Sequence, residues 1–307
     1  MKDDKRLSNL KELTLNNFSL ESIYTAIADI IDFTALERLT LFGCEEADLF
    51  LEEMGTQTLG AALSLRHLAV QVQDDTCLED ILDSCSNLMS LHLRWEDDAD
   101  PSALLGRLRD LGSSLRTLAL HQNREDPPPD EWDRILSYCP NLRQLGCQLS
   151  TYVFDPNEWC NDFPEVLDAL GQLPDLRIVH FRYVRFEELA RFEWRDFRKP
   201  REITWEVQRF ANGFFQYLDD RNLCPKLKAL AFGVNWTPRR PLAANEYSVP
   251  RHCFIKGWQT DALNRRTAIA VPVPTYRLRE LDPELDILDF DPECEWVGGL
   301  PGRFLHR

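Results

Sequence analysis

A spacing of three apolar residues recurs eight times along this chain and limits what the chain can fold into. Leu115, Leu118 and Leu120 show it in full, as Leu-x-x-Leu-x-Leu. It appears earlier as Leu10/Leu13/Leu15, Leu36/Leu39/Leu41, Leu65/Leu68/Val70 and Leu88/Leu91/Leu93. It continues as Leu142/Leu145/Cys147, Leu176/Val179/Phe181 and Leu227/Leu230/Phe232. First anchors lie 26, 29, 23, 27, 27, 34 and 51 residues apart. The last two anchors of each triplet are separated by one residue, so both point to one side of a short strand. One such strand cannot bury that side alone. Stacking the next repeat about 4.8 Å away makes a parallel sheet over a continuous apolar column.

The first five gaps lie within or close to the roughly 20–29-residue period of leucine-rich repeats. The spacing therefore predicts an α/β fold, a leucine-rich-repeat solenoid with a curved parallel sheet, helices on its convex side and an irregular C-terminal cap. The gaps carry helical periodicity. Ser19–Phe33 places Leu20, Ile23, Ile27, Ile30 and Ile31 at helical spacing, and Ala47–Leu59 and Leu78–Cys85 fill the next gaps. Pro101 precedes Leu104, Leu105, Leu108 and Leu111 on one face. After the stiff acidic loop of residues 125–130, Asp130 is the expected N-cap of a helix that buries Trp132, Ile135, Leu136 and Cys139. Cys85, Cys139 and Cys224 each stand three residues before a first anchor and read as small buried hydrophobes.

Regularity fails after the sixth repeat. An extra stretch holds Tyr152, Phe154, Trp159 and Phe163. The next gap doubles and carries the stripe Ile203, Val207, Phe210, Phe214 and Leu218. The expected organisation is a repeat array over 1–234 with an irregular helical insertion near 183–222. An irregular proline-rich cap over 235–307 packs on the last repeat. Eight of the 18 prolines fall in that tail. Ala268–Val273 reads as a strand that Pro272 and Pro274 confine to an edge, and Leu285–Phe290 as a further strand.

The net charge of −16 argues against a general phosphate-binding surface, so no nucleic-acid partner is expected. Nine cysteines scattered without a C-x-x-C pair suggest reduced thiols. No signal-peptide core follows Met1, and no apolar run approaches the roughly 18–20 residues needed to span a bilayer. A cytoplasmic or nuclear protein with no membrane contact is expected.

Residues two, four and six positions after each first anchor should face away from the anchors. Four of the six histidines fall there: His67, His92, His121 and His180. Arg38, Arg94 and Arg182 make that face lean basic, with Glu12 as the opposing charge. Gln71, Gln144 and Gln148 add hydrogen-bonding capacity, and Phe42 is the aromatic exception. The candidate partner-binding set is Arg38, His67, Gln71, His92, Arg94, His121, Gln148, His180 and Arg182, recognising an acidic or polar segment of another protein. No metal is expected, because His67, His92 and His121 lack the tight sequence pairs typical of zinc ligands. The acidic run from Asp282 to Glu293 lacks the glycine and spacing of a calcium loop and reads as solvated. Phe192, Trp194 and Trp205 read mostly as core. No nucleophile elbow, phosphate loop or dinucleotide fingerprint is present, and neither catalysis nor a cofactor is expected.

The repeats, with their Cys139-Pro140-Asn141-Leu142 and Cys224-Pro225-Lys226-Leu227 openings, resemble the leucine-rich-repeat region of fungal F-box proteins over about Leu7–Phe232. The tail His252–Trp258 and Ala268–Leu288 is similar to the ending of such proteins. The resemblance implies a substrate-recognition arm of a ubiquitin ligase, in which repeats hold the substrate. In the family an F-box precedes the repeats and recruits the ligase adaptor. Here six residues precede Leu7, so adaptor binding is not expected. The expected function is a non-catalytic protein–protein interaction module. The alternative is a regulator of an enzyme, such as a leucine-rich-repeat GTPase activator using Arg38 or Arg94.

Overall fold

The computed structural model describes residues 7–73, 76–95, 102–122, 129–154, 163–186, 200–233 and 252–288. The chain divides into two compact units, residues 1–124 with 138–141 (unit 1) and residues 125–137 with 142–307 (unit 2).

Unit 1 alternates strands and helices: β1 (Glu12–Asn16), α1 (Tyr24–Ile30), β2 (Arg38–Phe42), α2 (Ala47–Gln57), β3 (His67–Val72), α3 (Glu79–Ser84), β4 (Ser90–Trp95), α4 (Ser102–Leu111) and β5 (Thr117–Gln122). Each strand pairs parallel with the next. The register aligns the middle anchors Leu13, Leu39, Leu68, Leu91 and Leu118 in one row, and Leu15, Leu41, Val70, Leu93 and Leu120 in another. From β2 onward all of these are buried. Leu13 and Leu15, on the first strand, are part-exposed.

A second regularity sits at the start of each strand, where one carbonyl accepts two N–H groups from the following repeat. Lys11 O accepts from Glu37 N at 2.8 Å and Arg38 N at 3.0 Å, and Arg66 O from Met89 N at 2.8 Å and Ser90 N at 2.9 Å. Glu37 and Met89 repeat the arrangement in unit 1, as do Arg143 and Arg177 in unit 2. The paired bonds lock the register before the strand proper begins.

Unit 2 holds most of α5 (Pro129–Tyr138), then β6 (Gln144–Phe154), α6 (Phe163–Leu170), β7 (Ile178–Phe186), α7 (Pro200–Asp220), β8 (Ala229–Phe232), β9 (His252–Thr260), β10 (Arg266–Val273) and α8 (Tyr276–Leu281). Strands β6, β7 and β8 are parallel, and β9 and β10 follow antiparallel. Helices pack on the anchor side: Phe163 of α6 and Phe210 and Phe214 of α7 surround Phe181 with ring centroids 5.4–6.3 Å away. The expected stripe on α7 is therefore core at Val207, Phe210, Phe214 and Leu218. β10 pairs with β9 and is an edge. Its outer backbone is not left open: Ala270 N donates to Asn212 Oδ1 and Ala270 O accepts from Gln208 Nε2, both at 2.8 Å. α7 thus blunts the edge that Pro272 alone would leave half available.

Several local expectations change. The helix foreseen over Ser19–Phe33 is confined to Tyr24–Ile30, and Ile23 and Ile30 are exposed, since at this end of the sheet there is less to pack against. α5 begins at Pro129, so Asp130 lies inside its first turn rather than capping it, at the end where a negative charge complements the helix dipole, and pairs with Arg134 at 3.7 Å. Residues 285–288 form turns, not a strand, and Asp289 and Phe290 lie outside the described residues. Trp205 is exposed, with the Arg209 guanidinium 4.4 Å above its ring, while Phe192 and Trp194 lie outside the described residues. The loop 125–128, Pro101 and Trp159 also lie outside them.

Candidate functional site

The side of the strands opposite the anchors was expected to be a solvent-facing recognition surface. Much of it is closed. In unit 1, Thr40, Phe42, Ala69, Ser90, His92, Thr117, Ala119 and His121 are all buried. Phe42 meets the His92 ring edge-on at 5.3 Å, and His92 meets His121 at 5.0 Å, so the three rings pack as one cluster. In unit 2, His180 is fully buried between its register neighbours Gly146 and Ala231, which are small enough to admit the ring, and its Nε2 lies 3.2 Å from Gly233 O. His92, His121 and His180 are therefore buried and not solvent-facing. The two-residue alternation places them on the right side of their strands, but alternation says nothing about what covers that side.

What remains within reach is the margin of unit 1. Arg38, His67, Gln71 and Arg94 are part-exposed. The register sets Arg38 beside His67 and Gln71 beside Arg94, at opposite ends of neighbouring strands. Glu12 stands next to Arg38 with charges 4.0 Å apart. The side chains of Gln148 and Arg182 lie outside the described part of the structure.

In unit 2 the cover is the chain itself. Residues 282–288, read as solvated from their charge, lie against β6 and β7. Gln144, buried on the outward side of β6, donates from Nε2 to Glu284 O at 2.8 Å and accepts through Oε1 from Asp286 N at 3.1 Å and Ile287 N at 3.0 Å. Arg143 Nη1 pairs with Glu284 Oε2 at 2.6 Å. Arg177 Nη1 lies 3.6 Å from Asp282 Oδ2, an ion pair longer than a hydrogen bond, with the carboxylate buried. Leu285, Ile287 and Leu288 are buried. Charge density in the sequence hid this segment, because its aliphatic residues are interleaved with the acids.

The cysteines preceding anchors are buried as expected. Burial pushes the thiols of Cys85, Cys139 and Cys224 up to about 12, and Cys224 Sγ lies 3.0 Å from Leu170 O. Such thiols are poor nucleophiles. Burial lowers the His252 pKa, and the ring stacks on Phe254 at 6.3 Å. Among the described residues no group of three His, Cys, Asp or Glu side chains is placed to hold a metal ion. Among them, too, no helix is long and apolar enough to cross a membrane.

Neither protein-family models nor curated proteins include a match to this chain.

Proposed function

We propose that this chain is a non-catalytic protein-binding module of the leucine-rich-repeat kind. It holds an acidic or polar segment of a partner against the margin of unit 1 at Arg38, His67, Gln71 and Arg94. The observation that carries the reading is the contrast within β2, β3 and β4: their other outward residues are buried, while these four keep part of their surface open, in register pairs. Unit 2 supports the choice of ligand, since its outward side receives an acidic segment through arginines and a glutamine. Arginine suits this role because its planar donors match carboxylates. The resemblance to F-box repeat regions makes substrate capture for ubiquitin ligation the biological setting to test first.

The test compares the full chain with Arg38→Glu plus Arg94→Glu against a control of equal charge change, Arg134→Glu plus Arg265→Glu, in affinity capture from native lysate. Proteins retained by wild type and control and lost from the first variant support the reading. Equal retention by all three chains, or equal loss from both variants, counts against it.

A further inference from the structure

Residues 282–288, Asp-Pro-Glu-Leu-Asp-Ile-Leu, form no helix or strand. Their internal order comes from a turn, with Leu285 N donating to Asp282 O at 3.0 Å and Glu284 N to Asp282 Oδ1 at 3.2 Å. Their attachment to unit 2 has the parts of a peptide complex. A single carboxamide, Gln144, takes one main-chain carbonyl and two main-chain N–H groups. Two cations at the rim, Arg143 and Arg177, take the acidic side chains, and both remain part-exposed. Buried aliphatic residues alternate with the acids. Main-chain bonds that give affinity, with side chains that give specificity, are how proteins recognise extended segments.

We propose that Arg143, Gln144 and Arg177 form a binding site for acidic-aliphatic peptide segments, filled in cis by residues 282–288, and that a segment of the same chemistry from another protein exchanges with it. The proposal does not rest on the reading of unit 1, with which it shares no residue. Three structural features make exchange feasible. The β6–β7 ladder has its own register and does not run through the segment. The Arg143–Glu284 pair is solvent-facing, with Glu284 60% exposed. The segment is tethered, so it competes at an effective concentration in the millimolar range. A free peptide of micromolar intrinsic affinity is therefore held off by about a thousandfold until the tethered copy is weakened.

The probe is a fluorescein-labelled synthetic peptide with the sequence of residues 280–290, read by anisotropy. The full chain carrying Glu284→Ala and Ile287→Ala binds it at least about tenfold more tightly than wild type does. Adding Arg143→Glu removes that binding, and a peptide carrying Glu284→Arg recovers it. A folded weakened chain no better than wild type, or binding that survives Arg143→Glu, overturns the proposal. Hydrogen exchange on the wild-type full chain gives a second reading that depends on no variant. The Asp286 and Ile287 amides exchange at least about tenfold faster than those of Val179 and Phe181 in β7, because the segment opens before the sheet does. Exchange of all four in step makes the segment part of the global core and overturns the proposal.

Discussion

His252 shows how burial at one residue becomes a property of the fold. Desolvation holds its pKa below the ordinary 6.5. As pH falls through 6.5 the unfolded chain takes up the proton first, so the unfolded state gains relative to the folded one. The contribution is intact above that value and is lost as pH falls through the depressed folded pKa. Urea unfolding should therefore show stability declining as pH falls below 6.5, with His252→Phe flattening that part of the profile. An unchanged profile in the variant would remove His252 as its cause. The carboxylates with lowered pKa values, Asp175 beside Lys226 and Asp261 held by Arg265, act in a separate window, below 3.8. At this scale the sequence is informative for cysteines and weak for histidines. A cysteine before an anchor has one physical role, burial, and takes it. A histidine on the outward side can stay part-exposed or become a packed ring, and His67 and His92 divide between the two.

The elements owe their order to the anchors. Leu118 sits at the middle of the aligned row and is fully buried. Leu118→Ala should lower the unfolding free energy by about 2–5 kcal/mol, the usual range for a buried leucine. A change within about 0.5 kcal/mol in chemical denaturation would show that the row is not packed. The β10 edge depends on side chains instead. Asn212→Ala leaves the Ala270 N–H without its acceptor and should cost about 1–3 kcal/mol. The exposed edge should also raise aggregation during refolding, measured by light scattering, whereas refolding as clean as wild type would show that α7 does not guard the edge. The first of these was legible from spacing alone, since period-two anchors fix which side of a strand is buried. The second was not: nothing in the sequence says that Gln208 and Asn212, one helical turn apart, meet the same residue of a strand some sixty positions later. Helix ends were the least legible part. α1 is cut short because Ile23 and Ile30, apolar in sequence, have too little beside them to be covered.

At the scale of the molecule, the same pattern that specified the parallel strands misjudged their outward side. Spacing identifies the side that faces the helices and leaves the other side to be inferred as open. Each unit closes much of that side, unit 1 with packed rings and small residues, unit 2 with its own acidic-aliphatic segment. Of the nine candidate residues, His92, His121 and His180 are buried, Arg38, His67, Gln71 and Arg94 are part-exposed, and the side chains of Gln148 and Arg182 lie outside the described part of the structure. The outward side is thus divided between closed surface and open margin. Diethyl pyrocarbonate footprinting of the native full chain, mapped by mass spectrometry, tests it most directly. Rapid modification of His67, with His92, His121 and His180 protected until the chain is unfolded, is the predicted result. Modification of all four at comparable rates would contradict it.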